Sequence, residues 1–195
     1  MMDKELNSFL QKNKEWAASK LKVNSNYFTE LSKGQSPSVL WIGCADSRVP
    51  PNTITGTEPG DLFVHRNIAN VVLHDDLNLI SVVEYAVLAL KVEHIVVCGH
   101  YGCAGVQGAM NNVKIGKIDS WLAQIKSGLD QHESELNKFN NPDEKFNRAV
   151  ELHAIKQKEN LLTLDVIQNT RDAGQKLDIH AWVFDLSKGT IHEAK

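Results

Sequence analysis

Cysteine is scarce in this chain. Three cysteines in 195 residues is an odd, low number that argues against a disulfide framework and fits a reducing compartment. Charge of one sign is scarce as well. The net charge is -3, with no basic block and no basic helix face, so neither nucleic acid nor an anionic membrane is expected as a partner. Long apolar runs are missing too: the longest, around Leu77 to Leu90, is broken by Glu84 and is too short to cross a bilayer. The opening residues Met1-Met2-Asp3-Lys4-Glu5 lack the apolar core of a secretory signal, and no repeat or low-complexity segment is visible. These absences predict a cytoplasmic location.

What is present is an ordinary globular composition, 42% hydrophobic and 23% charged, over a length that suits one domain, residues 1–195. Residues 1–36 read as a helical amino-terminal arm. Leu6, Phe9 and Leu10 recur at helical spacing, and Trp16, Leu21, Tyr27, Phe28 and Leu31 extend the apolar supply. Trp16, Tyr27 and Phe28 are a large apolar load for an arm, and either mark an interface or pack on their own subunit. Lys33-Gly34-Gln35-Ser36-Pro37 punctuates the chain.

Residues 37–195 read as a core of alternating strands and helices. Val39-Leu40-Trp41-Ile42, Leu62-Phe63-Val64 and Ile95-Val96-Val97-Cys98 are short apolar runs of the kind buried parallel strands show. Asp75 and Asp76 open a helix whose apolar face is Ile80, Val83, Val87 and Leu90, and Ile118, Trp121, Leu122, Ile125 and Leu129 mark another. About Asp143 to Ala173 reads as helical with a break near Asn160, and Ile179 to Phe184 as the last strand. The expected fold class is α/β, with a mostly parallel central β-sheet flanked by helices.

Two clusters follow directly on predicted strands, where open α/β sheets place their ligands. They are Cys44-Ala45-Asp46-Ser47-Arg48 and His100-Tyr101-Gly102-Cys103. Cys44, His100 and Cys103 offer two thiolates and an imidazole, a donor set that zinc prefers, and three protein ligands leave a tetrahedral ion one open position. Cys98, inside an apolar run, reads as a core residue. In an extended segment Cys44, Asp46 and Arg48 would share one face. The last two are then either a surface ion pair or a device, in which Arg48 holds the carboxylate beside the metal.

With Phe63-Val64-His65-Arg66-Asn67-Ile68-Ala69-Asn70, Glu84-Tyr85-Ala86-Val87 and Cys98-Gly99-His100-Tyr101-Gly102-Cys103, the chain resembles the β-class carbonic anhydrases from about Trp16 to Gly189. The resemblance implies one zinc ion per chain on Cys44, His100 and Cys103. It further implies an Asp46–Arg48 catalytic dyad and reversible hydration of carbon dioxide to bicarbonate and a proton by zinc-bound hydroxide. Gln35, Phe63 and Tyr85 are implied to line the substrate pocket, some of them from a neighbouring subunit of a homodimer or dimer of dimers. In a closed state Asp46 becomes a fourth zinc ligand.

Trp41, Gly43 and Arg66 match a bicarbonate regulatory site of some members. The same three also read as a core tryptophan, a close-packed glycine and an arginine paired elsewhere. Phe184 departs from the tyrosine of regulated members, so weak or absent bicarbonate inhibition is expected. Ala104 departs from a glycine and is expected to begin a helix in ordinary geometry. Three other readings stay open on sequence: hydrolysis of carbonyl sulfide or carbon disulfide at the same zinc, a non-catalytic zinc-binding protein, and a cysteine-nucleophile enzyme.

Overall fold

The computed structural model describes residues 4–195. Two compact units divide between Gln35 and Ser36. The first holds helices α1 (Lys4–Val23) and α2 (Tyr27–Leu31). Helix α1 buries none of its residues, and Leu6, Phe9 and Leu10 stay more than half exposed. Its aromatic side chains meet those of α2. Trp16 and Phe28 pack edge-on with ring centroids 5.5 Å apart, and Phe28 packs on Tyr27 at 5.0 Å.

The second unit carries β1 (Val39–Cys44), α3 (Pro51–Thr55), β2 (Leu62–Asn67), a 3-10 turn (Ile68–Asn70), and α4 (Leu77–Glu84) running on into a π-helical turn (Tyr85–Ala89). Then come β3 (His94–His100), α5 (Ala104–Met110), α6 (Ile118–Asp130), α7 (Glu133–Leu136), α8 (Pro142–Leu162), α9 (Asp165–Asp172), β4 (Asp178–Asp185) and β5 (Thr190–Glu193). The strands form one sheet in the order β2-β1-β3-β4-β5, parallel throughout except for the antiparallel pair β4–β5. This is an α/β fold with a mostly parallel sheet flanked by helices.

Alternation along the central strands sorts their side chains into two layers. Trp41, Val96 and Cys98 join Val106, Leu122, Ile125, Val150 and Leu152 on one face. Leu40, Ile42, Ile95 and Val97 join Leu79, Val83, Val87 and Ile167 on the other. A strand buried on both faces has no polar side, which is why β1 and β3 read as unbroken apolar runs. The helices start where local chemistry allows. Asp76 caps α4 by accepting from the Asn78 and Leu79 N–H groups, and Asn141 caps α8 in the same way ahead of Pro142.

Several boundaries differ from the sequence reading. His100 is the last residue of β3, not the first beyond it. The long helical region breaks at Thr163–Leu164, past Asn160, and β5 follows the strand expected to be last. Only Ile191 of that edge strand packs on the core, so it carries no apolar run to read. Helix α5 does begin at Ala104, whose backbone is not in the left-handed region.

Candidate metal centre

Because β1 and β3 are adjacent and parallel, their carboxyl ends lie side by side. Cys44 closes the first strand and His100 the second. Gly102, at φ +72, makes the turn that returns Cys103 to the same point at the start of α5. The ligand atoms of Cys44, His100 and Cys103 lie within 4.8 Å of one another, and all three residues are buried. The two sulfurs are 4.0 Å apart.

The imidazole is oriented for metal. Its Nδ1 lies 3.0 Å from the Tyr101 carbonyl oxygen. A carbonyl only accepts, so Nδ1 carries the proton and Nε2 presents its lone pair. That Nε2 is buried and has no hydrogen-bond partner, a costly arrangement that a metal ion removes. Cys44 Sγ accepts from the Asp46 and Ala69 N–H groups, each at 3.4 Å. The hydrogen bond from Cys103, aided by these N–H groups, pulls the Cys44 thiol well down against the effect of burial. The same contact and burial push Cys103 up. Two sulfurs, one with its thiolate form favoured, and a free imidazole lone pair fit zinc.

Asp46 and Arg48 meet beside this group, though not as expected. The strand ends at Cys44, so the shared-face argument does not apply; a turn does the work instead. The Val49 N–H donates to the Asp46 carbonyl at 3.2 Å. Asp46 Oδ1 accepts from the Arg48 backbone N–H and from Nε–H, both at 2.9 Å, while Oδ2 accepts from Nη2–H at 2.6 Å. The guanidinium holds the Asp46 carboxyl well below the usual carboxylate range. Asp46 Oδ2 stands 3.7 Å from His100 Nε2.

The 3-10 turn closes the other side. Ala69 (φ 61, ψ 33) and Asn70 (φ 48) are both left-handed, which costs about 1–2 kcal/mol per residue with a β-carbon. Neighbours fix this backbone. Asn67 brackets the turn, its Oδ1 and Nδ2 meeting the Val71 N–H and carbonyl, both at 2.8 Å. Trp121 Nε1 donates to the Ile68 carbonyl at 2.9 Å. Gly105 permits the approach of α5: a β-carbon there would stand 2.9 Å from that of Ala69. A cavity of about 470 Å³ opens from Cys44 and Asp46, walled by Ile68, Val113, Ile115, Ile118 and Leu122.

Residues 39–191 match the sequence profile of the carbonic anhydrase family. A carbonic anhydrase of Emericella nidulans is 44% identical over 94% of this chain and 80% of its own length. One of Candida albicans is 33% identical over 97% of this chain and 68% of its own. Among solved structures, a tetrameric β-carbonic anhydrase of Sordaria macrospora superposes with a TM-score of 0.92 at 39% identity, covering 98% of this chain and 97% of that one. The chain belongs to the β-class carbonic anhydrase family.

The other residues that the resemblance to carbonic anhydrases singled out are dispersed. Phe63 and Tyr85 pack on each other with ring centroids 5.7 Å apart, and neither lines the cavity at Cys44. Gln35 ends the first unit and is exposed. The Trp41 indole lies over Gly43, where a β-carbon would come within 2.5 Å of its Nε1. Arg66 donates from Nε to the Cys44 carbonyl at 2.7 Å and from Nη2 to the Asp46 carbonyl at 2.6 Å, pinning the main chain that leads into the Asp46–Arg48 turn. Phe184 is buried, and its carbonyl accepts from the Tyr101 N–H at 3.0 Å.

Sequence reading did not find the roles of Ala69 or of His153 on α8. The only signal for the second is a His153–Gln157 pair at helical spacing within an apolar face.

Proposed function

We propose that this chain catalyses the reversible hydration of carbon dioxide to bicarbonate and a proton, with one zinc ion held by Cys44, His100 and Cys103. The observation that carries the reading is the buried, unpartnered lone pair of His100 Nε2 beside two sulfurs. When bound, zinc supplies a Lewis acid that makes water a nucleophile near neutral pH. Two thiolates cancel its formal charge, so the working range lies higher in pH than for a three-histidine site.

Asp46 and Arg48 act as the dyad. The carboxylate, held by Arg48 beside the metal ligands, would accept a hydrogen bond from the reacting water and so orient it toward carbon dioxide. The apolar cavity wall suits a substrate without net charge. Gln35, Phe63 and Tyr85 are the substrate-pocket residues, some of them supplied by a neighbouring copy in a homodimer or dimer of dimers. The separation of Phe63 and Tyr85 from the cavity within one chain supports this sharing. Mixing inactive Cys44→Ala with weakened Phe63→Ala subunits tests it: restored activity is expected, and none after verified subunit exchange refutes it.

Among the described residues the ligand group has three members and no fourth cysteine or histidine, which favours catalysis over a structural zinc site. Stopped-flow hydration of carbon dioxide by zinc-loaded protein across pH 6.5–9 is the deciding measurement. No rate above buffer overturns the proposal.

Bicarbonate acts weakly or not at all at Trp41, Gly43 and Arg66. Phe184 brings no hydroxyl, a loss of about 0.5–1.5 kcal/mol, and Arg66 already serves two carbonyls. Strong cooperative inhibition at low millimolar bicarbonate would refute this.

A further inference from the structure

One side chain of the buried core reaches the metal centre through the main chain. His153 on α8 is 2% exposed. Its Nε2 lies 2.7 Å from the Ala69 carbonyl oxygen, so Nε2 carries the proton and Nδ1 the lone pair. Nδ1 in turn accepts from Gln157 Nε2 at 3.3 Å. Burial pulls His153 down to about 4, which keeps it the neutral imidazole this arrangement needs.

The same helix face continues the hold. Gln157 Oε1 accepts from the Val72 N–H at 2.8 Å, and Asn160 Nδ2 donates to the Val72 carbonyl at 3.0 Å. Helix α8 therefore grips residues 69–72 through three side chains. Ala69 is the critical link, because its N–H donates to Cys44 Sγ while its carbonyl takes the His153 proton. The first bond restrains φ and the second ψ, at a residue whose left-handed backbone is disfavoured unless its surroundings enforce it. Losing the carbonyl bond frees ψ, and the residue then leaves the left-handed basin with φ changing as well, which takes the N–H off the sulfur.

We propose that His153 is a positioning residue for the metal centre: oriented by Gln157, it fixes the Ala69 carbonyl and thereby keeps the Ala69 N–H on the Cys44 sulfur. The inference rests on the reading of Cys44, His100 and Cys103 as zinc ligands. Groups behind a ligand orient it and set its donor strength, and their loss weakens metal binding by roughly 10–100-fold.

The test compares wild type with His153→Met, which fills the space without a donor, and His153→Gln, whose amide nitrogen stands about where Nε2 does. The readouts are zinc affinity by chelator competition and the thiolate-to-metal absorption bands of the cobalt-substituted protein. His153→Met is expected to lose about 10–100-fold in zinc affinity and to shift the bands; His153→Gln regains most of both. Leu161→Ala, a cavity in the other core layer, controls for lost stability and is expected to leave both readouts unchanged. Where His153→Met does not fold, Gln157→Met, which removes the donor that orients the imidazole, is read in its place, and zinc affinity and bands are expected to move in the same direction. His153→Met with wild-type zinc affinity and bands, or a loss no larger than that of Leu161→Ala, overturns the inference. A wild-type protein that takes up no zinc overturns the ligand reading itself.

Discussion

Removing the Arg48 guanidinium tests whether it holds Asp46 in its working orientation. In Arg48→Ala the Asp46 carboxylate loses two side-chain hydrogen bonds, from Nε at 2.9 Å and Nη2 at 2.6 Å, and keeps only the backbone N–H of residue 48. Charge-assisted bonds are worth about 1.5–3 kcal/mol each when buried. The Arg48 side chain is 55% exposed and that of Asp46 16%, so water screens the pair and its net hold is that of a well-aligned exposed ion pair. Losing such a hold shifts the orientation of the carboxylate by about two- to fivefold. Freed, the carboxylate is 3.7 Å from His100 Nε2 and moves toward the same centre.

The expected result is a fall in carbon dioxide hydration of about two- to fivefold, with zinc content unchanged or higher and the melting temperature within a few degrees of wild type. Stopped-flow rates on matched zinc-loaded proteins measure it. A variant with the wild-type rate at full zinc occupancy would refute the argument, because it would show that the carboxylate needs no arginine to stay in place. A loss of rate explained entirely by loss of zinc would refute it equally.

Three further outcomes follow from the same geometry. Gly43→Ala sets a β-carbon 2.5 Å from Trp41 Nε1, so the indole, only 2% exposed, must shift; overpacking should cost about 1–3 kcal/mol and lower the melting temperature by about 3–10 °C in calorimetry. Cys103→Ser exchanges a thiolate for a hydroxyl that stays protonated, so zinc content and hydration activity should fall together, and chelator treatment of wild type should reproduce the loss until zinc is restored. His153 has its folded value lowered from 6.5 to about 4, so the unfolded chain binds the extra proton between those values. Its stabilising contribution is full above pH 6.5 and is lost as pH falls toward 4, about 3 kcal/mol in all. Urea unfolding should therefore show a steeper acid loss for wild type than for His153→Gln, and parallel curves would count against a buried neutral imidazole.

The strand-end placement of Cys44 and His100 was legible because parallel strands buried on both faces leave continuous apolar runs, and the polar residues that end those runs stand out. Helix α1 was legible for a different reason, its period, since Leu6, Phe9 and Leu10 fall at helical spacing. Strand β5 was not, because Ile191 is its only residue packed on the core. The proximity of Asp46 and Arg48 was expected for an inapplicable reason: they meet through a turn, and no face of an extended segment is involved.

By itself, the amino-acid sequence determined the donor set, the fold class and the family, since residue type and short-range spacing carry those directly. Tertiary structure alone decided which nitrogen of His100 faces the sulfurs, because the Tyr101 carbonyl makes that choice. It also decided how the Cys44 sulfur is held. The left-handed backbone at Ala69 is enforced by contacts from α5, α6 and α8, and a conformation paid for by distant neighbours leaves no mark in the local sequence.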